Sequence, residues 1–70
     1  MPERLWRVRK DHRIVDAMVQ GCSGGEGVRL IIDYNGEASY SCRLPTHDAA
    51  VREAGDRLHD FLRQGWSTHW

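Results

Sequence analysis

The chain reads as an α+β domain, a four-stranded antiparallel meander sheet packed against one C-terminal α-helix. Three observations predict it. Apolar and polar residues alternate along the segments before residue 45, the period of half-buried strands. An Asn35-Gly36 pair, a strong hairpin-turn signal, separates the last two of those segments. Beyond Pro45 the apolar spacing lengthens to the three and four of an amphipathic helix.

Strands are expected at about 5–10, 13–20, 28–33 and 38–44, and a helix at about 47–64. Leu5 to Gln20 is rich in β-branched and aromatic residues, and the polar run Lys10-Asp11-His12-Arg13 splits it into two strands joined by a turn. Gly21 to Gly27 holds four glycines in seven residues and reads as a flexible hairpin connection. In the last strand Ala38, Tyr40, Cys42 and Leu44 alternate with Ser39, Ser41 and Arg43. Pro45 ends it, because proline has no N–H for the ladder. Thr46 is a helix N-cap, and Asp48 in the first turn suits the positive end of the macrodipole. Val51, Ala54, Leu58, Phe61 and Leu62 form the expected buried stripe. Glu53 and Arg57 stand four apart in the favourable order. Gly65 is the expected C-cap, and Trp66 beyond it can fold back onto the last turn.

Directly opposed residues share a face, so the register can be tested for consistency. A turn at Asp11-His12 pairs Val8 with Val15, Trp6 with Ala17 and Arg7 with Asp16. Across the glycine-rich hairpin, Val19 is set against Val28 and Ala17 against Leu30. A two-residue loop at Asn35-Gly36 would oppose Ile32 to Ser39, an apolar face to a polar one. A three-residue loop, Tyr34-Asn35-Gly36, pairs Ile32 with Ala38 and Leu30 with Tyr40 and is preferred. Trp6, Val8, Val15, Ala17, Val19, Val28, Leu30, Ile32, Ala38, Tyr40, Cys42 and Leu44 then face the helix.

Length and charge bound the function. Seventy residues allow a single small domain, 1–70. No apolar run approaches the ~20 residues that span a bilayer. The start, Met-Pro-Glu-Arg-Leu-Trp-Arg, has no apolar stretch of the signal-peptide kind, so the cytoplasm is the expected location and Cys22 and Cys42 are expected as free thiols. Ten basic residues balance ten acidic ones. A domain this small gains stability from a partner subunit.

The second sheet face has no helix to cover it. Leu5, Arg7, Arg9, Ile14, Asp16, Met18, Arg29, Ile31, Asp33, Ser39, Ser41 and Arg43 are expected there. The candidate binding residues are Arg7, Arg9, Ile14, Met18, Arg29, Ile31 and Arg43. Taken as an interface, the apolar members form the centre and the arginines the rim, and the partner is another protein or the chain's own copy, a homodimer. Taken as a nucleic-acid surface, the arginines contact phosphates and base edges.

The second reading has a family likeness. The sheet-plus-helix order, Arg7, Arg9, Arg29 and Arg43 on the open face, and Thr46-His47-Asp48-Ala49-Ala50 at the helix start resemble the plant ethylene-response-factor DNA-binding domain. They are also similar to the arm-binding domains of tyrosine integrases. That resemblance implies DNA read by arginines and tryptophans on the sheet. Here Trp6 falls on the inner face, Asp16 and Asp33 share the arginine face, and the formal charge is zero. The chain is similar as well to short bacterial proteins with a Gly-Trp helix terminus, a likeness that implies no activity.

The remaining chemical residues form no motif. Cys22, Cys42 and the four histidines lack zinc-ligand spacing. The glycine-rich loop precedes a strand and ends without Gly-Lys-Ser/Thr, unlike a phosphate-cradling loop. Cys22, His47 and Asp48 could be drawn as nucleophile, base and orienter, but no spacing brings them together. The expectation is therefore a binding module without cofactor, metal, catalytic residues or membrane contact.

Overall fold

The structure, a computed structural model, describes residues 2–22, 24 and 27–68. β1 (Glu3–Lys10), β2 (Arg13–Gly21), β3 (Val28–Tyr34) and β4 (Glu37–Leu44) precede α1 (His47–Arg63) and a short β5 (Ser67–Thr68). All pairings are antiparallel and the strand order is β4-β3-β2-β1-β5. The helix lies over one face of the sheet, an α+β architecture. Among the described residues no helix is long and apolar enough to cross a membrane.

Among the described residues the sheet has five strands where four were expected. The extra strand follows from how the helix ends. Gly65, at φ +95°, takes the left-handed conformation that L side chains rarely adopt. Its N–H donates to Leu62 O at 3.2 Å, and the Trp66 N–H donates to Phe61 O at 3.1 Å, the paired bonds of a Schellman cap. The chain reverses, Trp66 drops into the core at 8% exposure, and Ser67 and Thr68 pair with Arg9 and Val8. Two polar residues carry no strand periodicity, so nothing local announces β5.

The first hairpin has the expected register, with Val8 opposite Val15, Trp6 opposite Ala17 and Arg7 opposite Asp16. The second is shifted by two residues from expectation. Gly21 pairs with Val28, Val19 with Leu30 and Ala17 with Ile32. The ladder runs further into the glycine-rich segment than its composition suggests, and the Cys22 N–H reaches Gly27 O at 3.4 Å. Faces are preserved, because the shift is even. Ser23, Gly25 and Glu26 of that segment lie outside the described residues.

The third hairpin corrects the expected loop. Tyr34 pairs with Glu37, so the loop is the two residues Asn35 and Gly36, at φ +52° and +87°. The conflict with the face pattern is resolved by a register shift beyond Asp33–Ala38 that brings Ile32 opposite Tyr40. Ser39 is the extra residue of this bulge, and its Oγ donates to Ile32 O at 3.1 Å. Leu30 then pairs with Cys42 rather than Tyr40, and Ala38 moves to the open face opposite Asp33.

α1 starts as expected, the Ala49 N–H donating to Thr46 Oγ1 at 3.1 Å. Its buried stripe is rotated from the predicted one. Ala50 and Ala54 are fully packed, Leu58 and Phe61 lie against the core, and Val51 and Leu62 are 44% and 40% exposed. The cause is Trp6, which is 4% exposed and whose Nε1–H donates to Ala54 O at 2.8 Å. A buried indole N–H requires an acceptor, and the backbone carbonyl is reachable only where small side chains let the helix come close. Phe61 packs edge-on between Trp6 and Trp66, with centroids at 5.7 and 5.3 Å.

Truncation of Phe61 to alanine should therefore destabilise the domain by about 3 kcal/mol or more. Val51→Ala, on the exposed flank, should stay within ~0.5 kcal/mol. Urea unfolding followed by tryptophan fluorescence measures both. Equal losses would place the helix in the rotation that its sequence stripe suggests.

Candidate functional site

The face opposite the helix is built from rungs that run across the strands. The central rung is Ser41, Ile31, Met18 and Arg4, on β4, β3, β2 and β1. Ile31 and Met18 are directly opposed and both half-buried. One rung towards the glycine-rich loop stand Arg43, Arg29 and Gln20. One rung the other way stand Ala38, Asp33, Asp16 and Arg7. Ile14 and Arg9 follow, with Ser67 of β5 beside Arg9.

All seven candidate residues lie on this face. Arg7 is committed within the chain, its Nε and Nη2 donating to the two Asp16 carboxylate oxygens at 2.6 and 3.0 Å. The hydrogen bond to Asp16 raises the Arg7 pKa above its ordinary value, with partial desolvation opposing and the charge of Asp16 assisting. Arg9 is exposed and its Nε donates to Asp11 O at 3.1 Å. Ile14 is half-buried, and its backbone is tied to the third hairpin by Asn35 Oδ1 at 3.0 Å and by the Asn35 N–H at 2.8 Å. Arg29 and Arg43 are both exposed and directly opposed. Asp33 and Asp16 make the matching acidic pair.

Two expected members leave the face. Leu5 sits at a register shift in β1 between Arg4 and Trp6, and packs against the hydrophobic core. Ser39 is taken up by the β4 bulge. In exchange the face gains Arg4, opposite Met18, and Ala38. The sequence held a sign of the first exchange. Leu5 and Trp6 are consecutive large apolar residues in a strand that otherwise alternates, and a bulge is what puts two neighbours on one side.

The basic end opens onto a shallow cleft of about 400 Å³ between Gln20, Gly21, Cys22, Arg29 and Arg43. On the helix side the β4 edge is thinly covered. Tyr40 is 42% exposed instead of buried, and the Arg57 guanidinium stacks over its ring at 4.2 Å while pairing with Glu53 at 3.2 Å. Cys42, first through a hydrogen bond and then electrostatically, raises the Tyr40 pKa, and Arg57 works against that shift.

Cys22 and Cys42 are free thiols. His47 Nε2 lies 3.1 Å from Glu3 Oε1 at the start of the helix, a contact that ties α1 to β1. Among the described residues no three histidine, cysteine or carboxylate side chains gather as a metal site would require. Comparison with known proteins finds no matching family model, no matching curated protein and no matching solved structure.

Directly opposed like charges destabilise a sheet, and here the Arg7–Asp16 pair offsets part of that cost. Asp33→Asn removes one pair of opposed like charges without changing shape. The isolated subunit should gain a few tenths of a kcal/mol, read as a higher melting temperature at sub-micromolar concentration. A loss there would mean that Asp33 has a stabilising partner inside the chain.

Proposed function

We propose that the chain is a non-enzymatic binding module that self-associates through its open sheet face. The observation that carries this reading is the directly opposed, half-buried pair Ile31 and Met18 at the centre of a face that, among the described residues, no helix covers, with Arg4, Arg9, Arg29 and Arg43 around it. An apolar centre inside an arginine-rich rim is the usual make-up of a protein interface. Covering it with a second copy adds to the folding of a small domain by mass action.

The test is mass against concentration by light scattering. The protein should approach twice 8.1 kDa at high micromolar concentration. Ile31→Glu should return it to a monomer, because a buried unpaired carboxylate in each subunit is costly. A monomer at all concentrations overturns the reading.

A second reading, nucleic-acid binding, draws on one observation. The open face carries five arginines against two aspartates, although the chain as a whole is neutral. Its signature is affinity that falls steeply with salt, with a slope of log K on log salt of about −2 to −3 for three phosphate contacts. Arg29→Ala should reduce that slope by about one. Titration with duplex and single-stranded oligonucleotides at low salt, followed by tryptophan fluorescence, decides it. The absence of binding there removes this reading.

A further inference from the structure

We infer that the occupant of the open face is a second copy seated with its strands reversed, so that Arg29 of each subunit meets Asp33 of the other. This rests on the self-association reading and specifies its geometry. With the strands of the two sheets aligned, two closed arrangements bring identical faces together, one with the two-fold axis along the strands and one with the axis across them. The first sets the basic rung of one copy on the basic end of the other, and acidic on acidic. The second sets them in opposition.

The rungs make the second arrangement fit. Arg29 lies two residues before Ile31 on β3, and Asp33 lies two residues after it. Both are therefore about 7 Å from the central rung, on opposite sides of it. A two-fold axis along the Ile31–Met18 rung maps Ile31, Met18 and, at its exposed β1 end, Arg4 onto their own copies, and lays Arg29 over Asp33 of the other chain. It does so twice, by symmetry. Sheets stacked face to face lie ~10 Å apart, a gap that an arginine and an aspartate bridge together.

Asp33 is opposed within its own sheet by Asp16, whose charge Arg7 already neutralises, and by Ala38. Laying Arg29 of one copy over Asp33 of the other brings an opposite charge to that carboxylate. Arg43, one strand further out than Arg29, then lies diagonal to the same aspartate.

Charge reversal tests this with four samples. Arg29→Asp alone opposes two aspartates at each contact, and Asp33→Arg alone opposes two arginines. Each variant should weaken dimerisation at least about tenfold, the scale of close interfacial charge pairs. An equimolar mixture of the two variants should dimerise again, because both contacts in the mixed dimer join opposite charges. The double variant, Arg29→Asp with Asp33→Arg, should also dimerise. Sedimentation equilibrium measures all four, and recovery on mixing shows that each variant is folded.

A wild-type dimer that is unaffected or tightened by Arg29→Asp overturns the reversed arrangement and leaves the open-face reading standing. Single variants that dissociate but do not recover on mixing overturn it as well. A wild-type chain that is monomeric at every concentration overturns both.

Discussion

The hydrogen bond from Trp6 Nε1 to Ala54 O sets the height and rotation of the helix on the sheet. The indole is buried in one cluster with Val8, Val15, Ala17 and Leu30, where its N–H must find an acceptor within the protein. A helix carbonyl answers, and Ala50 and Ala54 keep the approach close enough for it to do so. Once that rotation is set, Phe61 must fall between Trp6 and Trp66, and Val51 and Leu62 must turn outwards. The Schellman cap then returns Trp66 to the core and delivers β5 to the edge of β1. The same close seat leaves β4 partly uncovered, which is why Tyr40 is sheltered by Arg57 rather than by the helix core.

Two bulges keep the sheet consistent with this arrangement. At Leu5 the extra residue allows Leu5 and Trp6 both to serve the core, and it turns Arg4 towards the open face. At Ser39 it lets a tight Asn35-Gly36 turn coexist with an apolar ladder that is one residue out of step with it. The Ser39 hydroxyl bonds to Ile32 O, so the irregular backbone there is not left unsatisfied. Without a bulge, a one-residue slip would turn every side chain of β4 to the wrong face.

The consequence for function is a layered open face. One helix covers one side of the sheet, and the other side presents basic, apolar and acidic rungs in succession along β3. This order is what makes orientation matter to any second copy, since reversing the strands exchanges the charged rungs about the apolar one. The arginines by themselves say little. Arg7 is consumed by Asp16, and Arg9 reaches back to its own turn, so residue type alone does not identify what is available for a partner.

Sequence by itself determined which segments are the first four strands and which is the helix, where the three hairpins turn though not the length of the third loop, the N-cap Thr46 and the glycine just past the helix end, and the face on which all seven candidate residues stand. Those features are set within a few residues, by periodicity, by the conformations open to Asn35, Gly36 and Gly65, and by the side chain of Thr46. Tertiary structure decided the two-residue shift between β2 and β3, both bulges, the exchange of Leu5 for Arg4, the turn of the helix about its axis, and the fifth strand. Each of these depends on partners far apart in the chain, Trp6 with Ala54 and Phe61 with Trp66 among them. A slip of two residues preserves every face, and a small rotation preserves the helical period, so neither leaves a mark in local pattern. What separates the alternatives is the energy of one buried N–H finding its acceptor and three aromatic rings closing on one another, and that energy exists only once the layers have met.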